Sequence, residues 1–486
     1  MTGRSRRLPL LLAAAAVVGT FEISRWFVQG RLLPGLLLVL ATALVLVVRA
    51  PGSAVVVLTV LGTTVFTLPV LPLRIGSVQS DVLELLVLAL GVGLVAGRLT
   101  GRRALPATYL RPLLLLAVAI SSGLVVGALG GVSRAYLIGD LKPYLYYSLA
   151  LTAAAAFSSE PRQQLLARLV VRIATVGCAV VLLQAALGFT VASESDTQLY
   201  TLGTLFEANR YRPPLLNLLP LAILLSTARA VTRGMTPLLA IQLALFVTVE
   251  ALGFNRSSWF PILLAVLLLV VLRPGPRRQG RTLRVSMTLG LLVPSLLVMA
   301  GAGLLGATGT ALTARIGSTV DSKVVRESSY EDRAAENRSA LTTLAKTPLV
   351  GVGVGGLYGA RRAVYRYDLG YYVFIDRPYL HNSFLFAWLQ LGLIGLGAFL
   401  WLGFRVARTG YRAVRELPWE VGTRVLAACL ALLAYALTAL FQPYLIDRSA
   451  IVAVGLALAL GQPPARASRQ DEDASVPSGR SAVAEG

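Results

Sequence analysis

The chain has 486 residues, 56% of them hydrophobic and only 14% charged, whereas soluble domains carry roughly a quarter charged residues. With a mean hydropathy of +0.72, this composition excludes a string of soluble domains and implies a multi-pass membrane protein. The formal net charge of +22, from 45 Lys+Arg against 23 Asp+Glu, does not point to nucleic acid, because the arginines fall between apolar runs and form no basic stripe interleaved with aromatics.

At the start, Arg4, Arg6 and Arg7 precede an apolar run from Leu8 to Val18. The pattern is like a secretory signal, but no small-residue cleavage site follows and further apolar runs do, so it reads as a retained first helix. Apolar runs long enough to cross a bilayer, where about 20 residues at 1.5 Å rise are needed, then recur. They cover 8–28, 32–49, 53–72, 80–97, 110–132, 136–157, 165–189, 212–230, 236–254, 257–272, 283–305, 383–407, 422–441 and 447–461. The expected fold is all-α, a polytopic membrane bundle of twelve to fourteen transmembrane helices. It divides into N-terminal membrane helices (1–305), a long extracytoplasmic loop with short helices (306–382), C-terminal membrane helices (383–461) and a polar, disordered cytoplasmic tail (462–486).

Charge orients these spans. With the N-terminus in the cytoplasm, the inside connections carry Arg98, Arg102, Arg103 and Arg111, then Arg229 and Arg233, then Arg273, Arg277, Arg278, Arg281 and Arg284, and finally Arg405, Arg408, Arg412, Arg415 and Arg424. The short outside connections carry little beyond Arg74 and Arg134. This alternation follows the positive-inside rule and supports the spans independently of hydropathy. Two outside connections are longer. Residues 190–211 form a modest polar loop, and 306–382 is long, tyrosine-rich and mixed in charge. Loops of that length are usually functional or disordered; helical-looking pieces at Glu331–Lys346 and Tyr365–Tyr379 argue for order. No internal repeat is evident, which counts against a transporter built from inverted halves.

Few residues in this chain can carry chemistry. Cys178 and Cys429 lie inside apolar runs, and the single histidine leaves no zinc ligand set. That histidine, His381, stands where the long outside loop meets the next span, followed by Asn382 and Ser383. A helix N-terminus there directs backbone N–H groups and the positive dipole end to the same place. A neutral imidazole can take a proton from a hydroxyl; the competing reading is an interfacial histidine without chemistry. Arginines share this face: Arg256 in the short connection Asn255-Arg256-Ser257-Ser258, Arg333 and Arg338 on the helix-like stretch Glu331 to Arg338, and Arg210 and Arg212 before Pro213-Pro214. Each also has an ordinary reading as snorkelling, local pairing or anchoring.

Arginine keeps its charge and grips phosphate oxygens bidentately. Two or three on one face suit a pyrophosphate-linked sugar donor held just outside the bilayer, stabilising the charge that develops on its leaving group. The outside loops contain no Asp-x-Asp, and the acidic run Asp471-Glu472-Asp473 lies in the tail, so the pattern needs no metal. The glycine-rich stretch Thr347 to Leu357 lacks the Lys-Ser/Thr ending of a P-loop. It reads either as a flexible connection or as a backbone surface for close approach of donor or acceptor.

These residues resemble the O-antigen ligase and O-antigen polymerase family of bacterial membrane glycosyltransferases. The family pattern is His, then Asn, Ser or Gln, nine free positions, Gly, two free positions, and Gly, Thr or Tyr; His381, Asn382, Gly392 and Gly395 fit it. Pro348 to Leu357 is similar to the family's Pro-Leu-x-Gly-x-Gly stretch, Asn255-Arg256-Ser257 to its Ser-Arg motif with Asn in place of Ser, and Asn209-Arg210 to a polar motif before an earlier span. The similarity covers about residues 203–405. It implies His381 as catalytic residue and Arg256 and Arg333 as pyrophosphate-binding residues, with Arg338 competing for the loop position and Arg210 a further candidate. The tryptophan often found after the loop arginine is missing here, which leaves that register open.

The resemblance implies transfer of a polyprenyl-pyrophosphate-linked glycan to a hydroxyl on a glycan, lipid or protein acceptor. The site would lie on the extracytoplasmic face of the bacterial cytoplasmic (inner) membrane, in contact with membrane lipid, with no cofactor, no metal and no nucleic acid. The alternative is a transporter or flippase of lipid-linked glycans resting on Glu84, Glu250, Arg172, Asp140 and Lys142; a third reading is a non-catalytic assembly scaffold.

Overall fold

The computed structural model describes residues 50–63, 73–75, 78–80, 84, 87, 89–92, 107–187, 195–201, 204–211, 214–253, 255–273, 328–358, 362–366, 371–375 and 380–464. The expected spans at 8–28, 32–49 and 283–305, residues 306–327 of the long loop, and the tail beyond 464 lie outside the described residues.

The bundle is helical. After α1 (Pro51–Thr63) and a hairpin of β1 (Leu73–Ile75) and β2 (Val78–Ser80) come α2 (Ala107–Leu129), α3 (Arg134–Leu145), α4 (Ser148–Ala156) and α5 (Glu160–Leu187). A second antiparallel hairpin, β3 (Ser195–Thr201) with β4 (Thr204–Tyr211), leads into a 3-10 turn (Pro214–Leu218) and then α6 (Leu219–Arg233), α7 (Pro237–Leu252) and α8 (Arg256–Leu272). Beyond these lie α9 (Ser328–Leu344), the antiparallel hairpin of β5 (Arg362–Arg366) and β6 (Tyr371–Ile375), α10 (Ser383–Arg415), α11 (Trp419–Thr438) and α12 (Arg448–Leu460).

Among the described residues, five helices are long and apolar enough to cross a membrane: Thr108–Leu129, Glu160–Leu183, Pro214–Arg233, Ser383–Arg415 and Trp419–Thr438. Shorter apolar helices at α7, α8 and α12 stand among them. The helix-rich bundle is therefore as composition requires, and the hairpins are confined to connections.

Two expectations change. The span expected as one helix over 136–157 is two, α3 and α4, joined at Tyr146–Tyr147 just after Pro143, where the ring removes an N–H and crowds the preceding turn. The helical-looking Tyr365–Tyr379 stretch is instead the β5–β6 hairpin. Its tyrosine and valine content (Arg-Ala-Val-Tyr-Arg, Tyr-Tyr-Val-Phe-Ile) favours strands. The other piece, Glu331–Lys346, is helical as expected.

One helix contact in the interior is built from small residues. α12 (Arg-Ser-Ala-Ile-Val-Ala-Val-Gly-Leu-Ala-Leu-Ala-Leu) is buried on every side from Ala450 to Leu460. It packs on the alanine-rich α4. A Cβ at Gly455 would come within 3.3 Å of the Ala150 backbone nitrogen, so two backbones touch. Inside a membrane, where lipid is as apolar as leucine, such close approach replaces the hydrophobic effect as the source of helix association. α11 runs beside α12 at the centre, contacting α6, α8 and α10 as well.

Hydrogen bonds sort the helix ends. At one end, Arg405 of α10 donates to the Thr108 carbonyl of α2 at 3.1 Å. There too the Arg424 guanidinium reaches Gln163, Gln163 donates to the Gln462 carbonyl, and Gln462 donates to the Ala154 carbonyl. Arg273 sits over the Trp419 ring at 5.3 Å and donates to the Ala413 carbonyl at the same end. Arg229, Arg233, Arg408, Arg412 and Arg415 lie on the last turns of helices pointing this way. The opposite end gathers the starts of α8, α10 and α12, the 3-10 turn and all of α9. Among the described residues, these arginines of the expected inside connections share one end of the bundle, while Arg256, Arg333, Arg338 and Arg448 stand at the other.

Candidate active site

This second end is organised around the N-terminus of α10. Asn382 is its N-cap: its Oδ1 accepts from the backbone N–H of Phe384 and Leu385, both at 3.1 Å. This satisfies two of the four donors a helix start leaves unpaired. His381 is therefore held immediately before a capped helix.

Above it lies α9. Glu336, 8% exposed, faces the His381 ring at Nδ1, 2.9 Å away, and its same oxygen accepts from the His381 backbone N–H at 3.4 Å. An ionised carboxylate can only accept, so an ionised Glu336 pairs with the tautomer that carries its hydrogen on Nδ1. α9 is fastened by an apolar cluster in which its Ala340 and Leu344 meet Tyr358, Leu380, Phe386 and Leu389. Tyr358 and Phe386 stack edge-to-face at 6.2 Å, and Ile446 closes the cluster from the loop before α12. The ring itself is 29% exposed, partly covered and still reachable.

The arginines on α9 divide by helical angle. At 100° per residue, Arg333 lies in line with Ala340 and Leu344, on the face turned to α10, and three residues from Glu336. It is half-buried. Arg338 lies well around the helix and is exposed. The helix thus separates two arginines that its sequence alone left equivalent.

Arg256 is brought to the same end through its neighbours. Asn255 stands at the start of α8 without a side-chain cap bond to the helix; its Oδ1 accepts instead from Ser257 Oγ at 2.7 Å and from Gln442 Nε2 at 3.5 Å. The Gln442 carbonyl accepts from Ser383 Oγ at 2.9 Å, and Ser383 N–H donates to the Ala439 carbonyl. The loop from Ala439 to Asp447 therefore ties the first residue of α10 to the residue preceding Arg256. Tyr444 is buried in this loop. Burial pushes its hydroxyl well above the ordinary phenol range, the charges of Glu250, Tyr435 and Asp447 add to that, and an Asn255 hydrogen bond opposes it. Arg210 sits on β4, paired in register with Asp196 on β3.

The glycine-rich stretch has a role that neither sequence expectation named. It threads between α2 and α10 as a strap. Gly392 interrupts α10 with φ 66° and ψ −169°, and the strap repairs the break. Leu393 N–H, which in an unbroken helix would bond to Leu389, donates instead to the Leu349 carbonyl at 2.9 Å. The freed Leu389 carbonyl accepts from Val352 N–H at 2.7 Å. Non-helical backbone is tolerated inside a membrane protein only when its groups are satisfied in this way.

On the other side, Val354 N–H donates to the Gly123 carbonyl of α2 at 2.8 Å. Gly351, Gly353 and Gly355 all have positive φ (70°, 83° and 78°), the region glycine alone enters at no steric cost. The close approach these glycines permit is to helices. Gly395 completes the spacing: a Cβ there would fall 2.2 Å from the Leu391 side chain. In His-Asn-x9-Gly-x2-Gly, then, one residue faces the site and the other three build its support.

Below the kink, Gln390 is fully buried. It accepts from Tyr144 at 3.0 Å and donates to Asp140. Lys142 and Arg448 each meet Glu84 at 2.8 Å, and Glu250 accepts from Ser258 at 2.5 Å. Four of the five ionisable groups that a transporter would rest on, Glu84, Asp140, Lys142 and Glu250, are thus engaged in contacts that join chain segments. The fifth, Arg172, is exposed on α5. Among the described residues, no three of His, Cys, Asp and Glu stand close enough to hold a metal ion.

Sequence reading missed Glu336, which lies between Arg333 and Arg338 on the same helix. Its signal was its place three residues after Arg333, on one helix face. Residues 218–400 match the family model described as O-antigen ligase. That segment contains Arg256, Arg333, Glu336, the strap and the full His381 motif, and leaves Arg210 outside. No curated protein matches the chain.

Proposed function

We propose that the O-antigen ligase domain at residues 218–400 makes this multi-pass membrane protein a glycosyltransferase that moves a polyprenyl-pyrophosphate-linked glycan to an acceptor hydroxyl. The observation that carries this reading is His381, partly exposed at the capped start of α10 and hydrogen-bonded through Nδ1 to Glu336. In its neutral form the ring then presents the Nε2 lone pair.

The step is a single displacement. The acceptor oxygen forms a bond to the anomeric carbon while the bond from that carbon to the pyrophosphate oxygen breaks. The electron pair leaves with the lipid pyrophosphate, and the hydroxyl proton passes to His381 Nε2. No carboxylate nucleophile is invoked, so the anomeric configuration inverts. Arg256 and Arg333 hold the pyrophosphate and stabilise its growing charge; the geometry of α9 favours Arg333 over the exposed Arg338. The reaction uses no metal, and chelator leaves it unchanged. The active face is extracytoplasmic in the bacterial inner membrane, consistent with the arginines of the expected inside connections sharing the far end of the bundle.

The test is made in the host. The gene is deleted and restored as wild type or as His381→Ala, and surface glycans and lipid-linked intermediates are separated on gels. Single repeat units in place of long chains identify a polymerase. Long chains accumulating on the carrier lipid identify a ligase. Equal glycan patterns in the two restored strains, with equal protein in the membrane, would overturn the assignment.

A further inference from the structure

We infer that Glu336 is the positioning residue of this site, fixing both the tautomer and the direction of the His381 ring. The inference deepens the transfer reading and rests on it for its catalytic consequence, though not for its structural one. A histidine can act as base through Nε2 only if the ring hydrogen is on Nδ1, yet an imidazole in water favours the opposite tautomer. Which nitrogen is protonated is decided by the partner of the other. Here that partner is a carboxylate at 2.9 Å from Nδ1.

Three features make the contact a built one. Glu336 is nearly enclosed at 8% exposure while the His381 side chain is 29% exposed, so the supporting group lies deeper than the ring it supports. One Glu336 oxygen faces both Nδ1 and the His381 backbone N–H, which sets the ring plane relative to the chain. Glu336 also rides on a helix whose Ala340 and Leu344 are locked into the cluster under it. The carboxylate further stabilises the imidazolium formed as the acceptor proton arrives. Removing the orienting acid from a comparable hydroxyl–imidazole–carboxylate arrangement costs about 10⁴-fold in rate with the geometry intact.

The presence of a single histidine in the chain allows a direct test. Full-length protein labelled with ¹⁵N-histidine is placed in lipid nanodiscs, and its imidazole nitrogens are read by NMR in alkaline buffer, above the ordinary histidine range. The expected wild-type spectrum has a protonated Nδ1 and a bare Nε2. Glu336→Leu, which fills the space without an acceptor, shifts the ring toward protonated Nε2. In parallel, Glu336→Gln, of nearly the same shape, lowers kcat for transfer by about 10²-fold or more, with the KM for donor within about threefold of wild type.

A wild-type ring protonated on Nε2, or an unchanged tautomer in Glu336→Leu, overturns the inference. So does full kcat in Glu336→Gln while His381→Ala is dead, a result that leaves the transfer reading standing. Conversely, the expected tautomers in a protein that transfers no glycan would support the Glu336 contact and reject the transfer reading alone.

Discussion

Gly353→Ala should be among the most damaging small substitutions in this protein, and its cost can be assembled from two separable parts. The first is conformational: φ at Gly353 is 83°, and an L-residue in the left-handed region costs about 1–2 kcal/mol. The second is steric. The new Cβ would lie 2.3 Å from the Gly127 nitrogen, 2.7 Å from the Gly127 Cα and 2.9 Å from the Gly123 carbonyl oxygen. All three are helix backbone atoms that cannot rotate away. Overpacking of this kind costs about 1–3 kcal/mol. Displacing the strap also strains the Val354–Gly123 hydrogen bond, about 1 kcal/mol net. The sum is about 3–6 kcal/mol.

Gly131 provides the control, because it shares the backbone state (φ 74°) but an added Cβ meets nothing within 4 Å. Gly131→Ala should therefore show only the first part. The assay is thermal unfolding of both purified variants in the same detergent, followed by tryptophan fluorescence, alongside transfer by each variant in membranes. The expected order is wild type, then Gly131→Ala slightly lower, then Gly353→Ala far lower with transfer lost. If Gly353→Ala melted no lower than Gly131→Ala, the strap would not be wedged between α2 and α10, and the kink repair derived from it would be wrong.

Three further outcomes follow from the same geometry. Asn382→Ala removes the cap of α10 and should cost about 1 kcal/mol, read as a lower melting temperature, with transfer reduced because His381 loses its fixed launch point. Gln390→Leu leaves the Tyr144 hydroxyl without its present partner and should destabilise by about 1–3 kcal/mol; a melting temperature at or above wild type would contradict a structural role for that buried contact. Arg333→Ala should lower transfer by about 10²–10³-fold, the usual effect of losing a group that stabilises developing charge, whereas Arg338→Ala should stay within about threefold. The reverse ranking would move the pyrophosphate to the outer face of α9.

Hydropathy and arginine spacing carried the fold a long way. The described helices α5 to α8 and α10 to α12 fall within several residues of the apolar runs that announced them, because a membrane helix must be both apolar and about the thickness of the bilayer. Where the reading failed, the deciding force was not local. Tyr365–Tyr379 reads as helical, and it is the pairing of Arg362–Arg366 with Tyr371–Ile375, added to their tyrosine and valine content, that makes strands there. The break in α10 at Gly392 is not announced by hydropathy in a run that stays long and apolar enough to span. It exists because residues 349–352, some forty positions earlier, supply the missing hydrogen bonds.

The site shows the same division. His381 was legible from its rarity and its place at a span start, and Asn382 from its capping chemistry. Glu336 was not, since a glutamate among arginines on an exposed-looking helix has many ordinary explanations. Its meaning depends on the cluster of Ala340, Leu344, Leu380 and Phe386 that lays α9 across the start of α10.

The most direct measurement is transfer by purified full-length protein in liposomes, using a labelled polyprenyl-pyrophosphate glycan and an acceptor, with donor binding followed in the same samples. Wild type should release polyprenyl pyrophosphate in step with acceptor labelling, with or without chelator. His381→Ala should bind donor about as well and form no product. Product formation by His381→Ala near the wild-type rate would remove the histidine from the chemistry and contradict the proposed mechanism at its centre.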